Sequence, residues 1–316
     1  MTKELENELV VYGPFHKTFF DILRNFRHRI IDRDLNLTYY AAHPITVVEK
    51  VKAEVKAGIP TADVVILPHY ATLQLKVDGE LREYHSDQSS VYDSTFKDKD
   101  AKWSAIAVEP TNAIYNRSLI KGDLVPTRLD ELTNPELKGK VAIQSVQDWS
   151  EGMYSFYYFA ALLKLIGEKK WDSVITDFLN NVKPSSFPCY HNMQKYVARG
   201  SFGIGLPLPL IKVSWGVATL HLRDIPDTAS LRSIGIVTKG AHQNAAELFY
   251  DYLLSEVWQN KMGKDYEGLI PIRPGATMKY NAKFTEDMTY FPDEQGVREA
   301  FSKDSLLEKF KQIGLP

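Results

Sequence analysis

The chain has 316 residues, with 38 Lys and Arg against 40 Asp and Glu, which leaves a formal net charge of −2. Its 44% hydrophobic and 25% charged residues are typical of a folded globular protein and exclude an intrinsically disordered or collagen-like chain. At this length a single hydrophobic core stops growing efficiently, so the sequence predicts two domains. The nearly balanced charge gives no reason to expect a nucleic-acid partner.

The single cysteine, Cys189, excludes an internal disulfide, which is compatible with the cytosol and equally with an exported protein. The most apolar stretch, residues 154–163, has about half of the ~20 residues that a membrane-spanning helix needs. The first residues alternate in charge and contain no apolar run, so no export signal is expected in this chain. Two locations stay open at this point: the cytosol, or the outer side of the membrane for a mature chain whose signal was removed.

Residues 9–78 repeat one pattern, in which a short apolar run is followed by a loop and then by a helical period. The predicted strands cover 9–12, 35–40 and 62–67. Thr46 and Glu49 have the spacing of a capping box, which predicts that the second helix begins there, and Gly58 predicts its end. Strands that alternate with helices at this spacing pair in parallel through right-handed crossovers, so the sequence predicts an α/β fold.

The chain after Trp103 continues with short strands and amphipathic helices. The strands are predicted at 104–108, 113–116, 141–144, 202–206 and 233–237. The helices are predicted at 150–166, at about 192–199, around 246–253 and around 306–313. Ser150 is the expected N-cap of the first of these helices.

Five phrases of the sequence together resemble the iron-type branch of the bacterial solute-binding proteins of ABC transporters. They follow the order of that family across nearly the whole chain: LVVYGPFHK at 9–17, VEKVKAEVKAGIPTADVVI at 48–66, NPELKGKVAI at 134–143, GIVTKGAHQNAAELFYDYLLS at 235–255 and GLIPIRPG at 268–275. The resemblance implies two Rossmann-like α/β lobes with a hinge, the type II periplasmic-binding-protein fold. The implied lobes are 1–106 with 222–275, and 107–221 with 276–316.

The resemblance also implies a non-catalytic receptor that closes on a small ligand between its lobes and hands it to the membrane subunits of an ABC permease. Such a receptor is expected to be a monomer on the periplasmic or extracellular face, without a cofactor, so that any bound metal ion would be cargo. A ligand-sensing module of a membrane receptor is the alternative from another class. An enzyme on the same fold is a third reading, but no Walker loop, H-E-x-x-H motif or nucleophile elbow supports it.

Ligands of open parallel sheets bind beyond the carboxyl ends of the strands. Three predicted post-strand loops each carry a histidine, and the topology would bring these histidines to one edge of the sheet. Aromatic and polar side chains occur at two places in the second lobe. One is the segment before the helix at 150–166, and the other is the segment before the helix at 192–199. The predicted ligand-binding residues are Tyr12, Phe15, His16, His43, His69, Trp149, Ser150, Glu151, Gly152, Tyr190 and His191.

The kind of ligand depends on which of these groups face it. Ser150 and Gly152 suit an anion held by the N–H groups of a helix N-terminus, whereas Glu151 would oppose one if it faced the ligand. The aromatic members of the set could stack on an organic ligand.

A metal ion is the other candidate cargo, with His16 and His69 as its predicted ligands. His16 stands where iron-binding members of the family place a histidine ligand. However, those relatives carry adjacent tyrosines after the strand that corresponds to 202–206, where this chain has Pro207 to Leu210. They also carry a glutamate where this chain has Pro68 and His69. Imidazole suits Zn, Cu, Ni or Fe(II), and Fe(III) prefers oxygen ligands, so the sequence slightly favours a small organic or oxyanion ligand over a metal ion.

Overall fold

The computed structural model describes residues 5–14, 17–29, 35–146, 154–188, 190–209, 216–266, 269–277, 289–291, 294–295 and 306–315. The chain divides into two compact units: unit 1 comprises Met1–Val108 with Leu231–Ala282, and unit 2 comprises Glu109–Ser230 with Lys283–Pro316. The sequence predicts that the chain passes between the lobes at 106/107, 221/222 and 275/276. In the structure the boundaries between the two units lie at 108/109, 230/231 and 282/283.

The described strands and helices are numbered here in chain order. The strands are β1 (Glu8–Gly13), β2 (Asn36–Ala41), β3 (Val64–Pro68), β4 (Ser104–Asn116), β5 (Val141–Gln144), β6 (Ser185–Phe187), β7 (Ile204–Pro209), β8 (Val217–Leu220), β9 (Thr228–Ile236) and β10 (Thr289–Phe291). The α-helices are α1 (Lys17–Arg29), α2 (Pro44–Ala57), α3 (His69–Val77), α4 (Tyr154–Ile166), α5 (Glu168–Asp177), α6 (Tyr190–Ala198), α7 (Gln243–Leu254), α8 (Glu256–Asp265) and α9 (Leu306–Gln312).

Short helices fill several connections. They are 3₁₀ turns at Asp87–Val91, Ser94–Phe96, Gly122–Leu124, Asp130–Thr133 and Pro135–Leu137, and a π-helical turn at Phe178–Val182. None of the helices in the described ranges is both long and apolar enough to cross a membrane.

The sheet of unit 1 has the order β2-β1-β3-β9. β1 pairs in parallel with β2 and with β3, as the strand–helix repetition predicted, while β9 runs antiparallel to β3 and sets Arg232 opposite Pro68. The connection from β1 to β2 and the connection from β2 to β3 cross the sheet in opposite directions. Because such crossovers are right-handed, α1 and α2 cover opposite faces of this sheet.

Helix α2 begins earlier than the capping-box spacing predicted. Pro44 is its first residue, and His43 is the N-cap, with its Nδ1 accepting a hydrogen bond from the backbone N–H of Ile45 at 3.4 Å. Proline suits a first helical turn because the N–H it lacks has no partner within the helix. The predicted start at Thr46 is therefore wrong, whereas the predicted end is confirmed, since Gly58 has a left-handed φ of 74°.

The sheet of unit 2 has the order β4-β7-β5-β6, with β8 paired to β4, and β10 paired to residues 228–230 of β9. β5 is parallel to β6 and to β7, and β4 is antiparallel to β7. β5 has the predicted bounds. Helix α9 closes this core, since Phe310 is fully buried and its ring stacks on Trp171 at a centroid distance of 5.3 Å.

Candidate functional site

The carboxyl ends of β1, β2 and β3 form one edge of unit 1, which we call the carboxyl edge of unit 1. These ends are Gly13, Ala41 and Pro68. Because β9 runs antiparallel to β3, the residues at which β9 enters unit 1 lie at this same edge, and Arg232 is the partner of Pro68. The edge therefore gathers residues from four strands that are distant in sequence.

His69 lies at this edge, but it is the first residue of α3 and not part of a loop as predicted from the sequence. Its side chain is buried, and its Nδ1 lies 2.8 Å from Oγ of Ser233, the residue after Arg232 in β9. The indole ring of Trp103 packs edge-on against the imidazole at a centroid distance of 4.3 Å. The hydrogen bond to Ser233 and the packing against Trp103 hold the His69 ring in its orientation.

His43 lies at the same edge, at the end of β2, and is half-buried. β1 separates β2 from β3 in the sheet. With neighbouring strands ~4.8 Å apart, the ends of β2 and β3 are about 10 Å apart. The structure thus brings His43 and His69 to one edge, while Phe15 and His16 lie outside the described residues.

Tyr12 belongs to β1, but its side chain contacts helix α2. Its hydroxyl donates a hydrogen bond to Oε1 of Glu54 at 2.9 Å, and its ring lies 4.8 Å from that of Tyr40. Burial raises the pKa of the Tyr12 phenol, and the hydrogen bond to the Glu54 carboxylate raises it further. The polar end of Tyr12 is therefore engaged within the layer between β1 and α2.

Tyr39 and Arg232 also lie at this edge, and neither was predicted as a site residue. The hydroxyl of Tyr39 donates a hydrogen bond to the carbonyl oxygen of Pro14 at 2.7 Å, and the Tyr39 side chain crosses over Gly13. Arg232 is only 8% exposed, although it carries a permanent charge. Arg232 directly precedes the strand predicted at 233–237, and a charged residue at that position is a signal that could have indicated it, whereas nothing local in the sequence singles out Tyr39.

Unit 2 has a corresponding edge, which contains the carboxyl ends of β5, β6 and β7. Because β4 is antiparallel to β7, the first residues of β4 that belong to unit 2 lie at this edge as well. Glu109, near this end of β4, is buried and accepts a hydrogen bond from the hydroxyl of Tyr154 at 3.1 Å. The Tyr154 ring packs edge-on against Tyr190, the first residue of α6, at 5.4 Å. Tyr190 was predicted as a site residue, whereas Glu109 and Tyr154 were not.

Several predicted site residues of the second lobe lie outside the described residues: Trp149, Ser150, Glu151 and Gly152. For His191 the structure describes the backbone, which belongs to α6, but not the side chain. Within the described ranges, no group of three or more His, Cys, Asp or Glu side chains is arranged to hold a metal ion.

Residues 59–290 match a family model described as a bacterial extracellular solute-binding protein. The chain belongs to this family. The family comprises binding proteins that work outside the cytoplasm, and the resemblance to the ABC-transporter receptors is thereby confirmed. A search of curated proteins found no match.

Solved structures of similar proteins confirm the type II periplasmic-binding-protein fold. The ferric binding protein of Campylobacter jejuni superposes with a TM-score of 0.79 at 17% identity, over 98% of this chain and 100% of that one. Iron-bound HitA of Pseudomonas aeruginosa gives 0.80 at 18%, over 98% and 100%. AfuA of Actinobacillus pleuropneumoniae, with exogenous fructose 6-phosphate bound, gives 0.75 at 18%, over 98% and 100%.

Proposed function

We propose that this protein is the receptor of an ABC transporter, which binds a small organic or oxyanion solute on the periplasmic or extracellular side and delivers it to the permease. The family match over residues 59–290 is the observation that carries this proposal. The receptor acts as a monomer, needs no cofactor and does not transform its solute. Binding selects a conformation of the protein, because a ligand stabilises whichever state makes more contacts with it.

The polar chemistry of the carboxyl edge of unit 1 supports a solute that forms hydrogen bonds, as an organic molecule or an oxyanion does. His69 is the imidazole of this edge whose position is fixed from two sides, by Ser233 and Trp103. A ring nitrogen of an imidazole can form a hydrogen bond with a hydroxyl, and when it carries a proton it can donate one to an oxyanion.

We propose that the contacts to the solute come from the residues at the strand ends. His43, His69 and Tyr190 are the predicted site residues whose side chains lie there in the described part of the chain. Phe15, His16, Trp149, Ser150, Glu151, Gly152 and His191 stay predictions. Tyr12 we assign to the packing of α2, because its hydroxyl is bonded to Glu54.

A receptor for iron or another transition metal, with His16 and His69 as ligands, is the second candidate. The observation that favours it is the likeness to the ferric binding protein of C. jejuni and to iron-bound HitA. Imidazole binds a metal only in its neutral form, and its unperturbed pKa is about 6.5. Metal bound by histidine is therefore released as the pH falls below that value, because protons compete for the same lone pairs.

Native mass spectrometry with metal analysis identifies what the purified protein carries, and calorimetry then separates the two candidates. We expect the co-purified organic solute to bind at pH 7.5 and at pH 5.5, and His69→Ala to weaken this binding about tenfold, the effect of one lost hydrogen bond. His85→Ala is the matched control, since His85 is exposed in the same unit and contacts Glu83. Tight binding of Zn²⁺ that is lost at pH 5.5 and in His69→Ala would contradict the organic assignment.

The other two roles have tests of their own. A sensing module would be encoded beside a membrane kinase and not beside a permease and an ATPase. An enzyme would convert the solute that it binds, so prolonged incubation of that solute with the protein should leave it unchanged if the receptor proposal is correct.

A further inference from the structure

A narrow pocket lies inside unit 2, where the edge of β4 changes its neighbour. β8 ends at Leu220, which pairs with Ala113 of β4. β9 begins at Thr228, whose backbone N–H donates to Oδ1 of Asn112 at 3.4 Å and whose hydroxyl donates to the carbonyl oxygen of Thr111. The loop between β8 and β9 therefore spans an interval along β4, and this loop and β4 both line the pocket.

Asn112 is the buried polar residue of this pocket. It is only 5% exposed, and its Nδ2 has no hydrogen-bond partner among the described residues. The backbone N–H of Thr228 fixes which end of the amide is which, because a flipped Asn112 would set two donors against each other. A buried donor without an acceptor destabilises a fold, so a donor in this position calls for an acceptor from outside the chain.

The other polar groups of the pocket restrict what that acceptor can be. Tyr158 of helix α4 and Asp227 of the loop before β9 both line the pocket. Burial and, to a smaller extent, the negative charge of Asp227 raise the pKa of the Tyr158 phenol to about 12, so the phenol stays neutral. The Asp227 carboxylate lies 2.8 Å from Nδ1 of His221. The remaining wall is largely apolar and includes Leu222, Ile225 and Pro226.

These groups select a neutral ligand that both accepts and donates hydrogen bonds. An anion could accept from Asn112, but it would lie beside the Asp227 carboxylate, which repels it. A metal cation would suit that carboxylate, but it would face the NH₂ group of Asn112, which only donates. A water molecule meets both requirements, and the space in the pocket is close to that of a single water.

We propose that this pocket binds one ordered water molecule, which accepts a hydrogen bond from Nδ2 of Asn112 and donates hydrogen bonds to the Asp227 carboxylate and the Tyr158 hydroxyl. The water connects three elements of unit 2: strand β4, helix α4 and the loop that precedes β9. Internal waters with about three polar partners are part of a fold and are costly to remove. The site is independent of the solute that the receptor carries.

A crystal structure of the full chain, at a resolution that shows single waters, tests this site directly. We expect a water oxygen within about 3.2 Å of Nδ2 of Asn112, of an Asp227 carboxylate oxygen and of the Tyr158 hydroxyl. Its mobility should match that of the surrounding side chains, because it is enclosed by them. A pocket without a water, an ion in its place, or a protein group bonded to Nδ2 would overturn the proposal.

A double-mutant cycle tests the bridge in solution. Asn112→Ala and Tyr158→Phe should each lower the equilibrium constant for folding about fivefold, the effect of one lost hydrogen bond, as measured by urea denaturation. Because both groups act through one water, the double variant should lose at least about twofold less than the product of the single effects. The cycle also cancels the loss of the bond between Asn112 and Thr228. Strictly multiplicative effects would overturn the bridge.

Tyr157→Phe is the matched control for this cycle. Tyr157 precedes Tyr158 in α4, but its ring packs edge-on against Phe156 and it is not part of the pocket wall. Its effect should therefore multiply with that of Asn112→Ala, and a coupling as large as that of Tyr158→Phe would contradict the bridge. If Asn112→Ala does not fold, the crystal structure of the wild type decides by itself.

Discussion

Gly13 is the residue whose size controls the approach of Tyr39 to the carboxyl edge of unit 1. The reason is close contact and not backbone conformation, because a Cβ there would lie within 2.6 Å of the Tyr39 hydroxyl oxygen and 3.0 Å of a backbone oxygen. The side chain of Tyr39 could shift, but only by giving up its hydrogen bond to Pro14. The Ile66 oxygen belongs to the central strand β3 and has less freedom to move.

We therefore expect Gly13→Ala to lower the free energy of unfolding by about 1–3 kcal/mol, the usual cost of overpacking. Urea denaturation measures this change. Tyr39→Phe removes the oxygen that clashes, so the double variant Gly13→Ala/Tyr39→Phe should lose less stability than the sum of the single variants. Gly13→Ala with wild-type stability, or strictly additive single effects, would show that the contact does not limit this position.

At the scale of elements, a charged network ties helix α2 to strand β1. Glu54 accepts hydrogen bonds from the Tyr12 hydroxyl at 2.9 Å and from the backbone N–H of Thr61 at 3.2 Å. It also forms an ion pair with Lys50 at 2.5 Å. Burial by itself would raise the pKa of the Glu54 carboxyl, but these three donors together hold it below its ordinary value of 4.5. The network thus favours the ionised form of Glu54 in the folded protein.

This lowered pKa predicts how the network responds to pH. Because folded Glu54 has a lower pKa than unfolded Glu54, its stabilisation is complete above about pH 5 and is lost as the pH falls through the folded value. We expect Glu54→Gln to cost about 1–2 kcal/mol at pH 7 and progressively less below pH 4.5. Chemical denaturation between pH 3 and pH 7 measures this difference.

Glu49→Gln is the control for that pH series. Glu49 lies in the same helix, but its side chain is largely exposed and its distance to Lys52 is 3.8 Å. Surface ion pairs of this kind contribute little, so Glu49→Gln should change stability by less than about 0.5 kcal/mol at any of these pH values. A Glu54→Gln effect that grows as the pH falls would contradict the role given to the network.

At the scale of the whole molecule, each compact unit is assembled from two separate segments of the chain. Unit 1 includes residues 231–282, which follow most of unit 2 in the sequence. Unit 2 also includes residues 283–316. The last described helix, α9, supplies the fully buried Phe310 to the unit 2 core. Neither unit can therefore be obtained as one continuous piece of the sequence.

Binding of a solute by the folded chain should raise its stability by mass action. We expect protein that has been stripped of solute by unfolding and refolding to have a lower unfolding midpoint than the protein as purified. Adding back the co-purified solute at 100 times its Kd should raise the free energy of unfolding by about 2.7 kcal/mol. Differential scanning calorimetry checks this, with a solute of unrelated chemistry as the control, and an unchanged midpoint would contradict binding to the native state.

Much of the fold was predictable because local chemistry determines it. The apolar run of β5 reproduces its strand residue for residue, and Gly58 ends α2 because a left-handed residue there closes a helix at little steric cost. The alternation of strands and helices over residues 9–78 was enough to predict parallel pairing, since short connections permit few topologies. The family followed from phrases distributed along nearly the whole chain.

The candidate site depended on tertiary structure, because its residues meet only through strand order and register. The antiparallel β9 brings Arg232 and Ser233 beside residues more than 160 positions earlier, which no local pattern encodes. Tyr12 and Tyr39 look alike as strand tyrosines, yet Tyr12 turns toward α2 and Tyr39 lies on the opposite face, a choice that follows from register alone. The sequence by itself thus determined the fold class and the edge of the sheet, while long-range pairing decided which side chains occupy that edge.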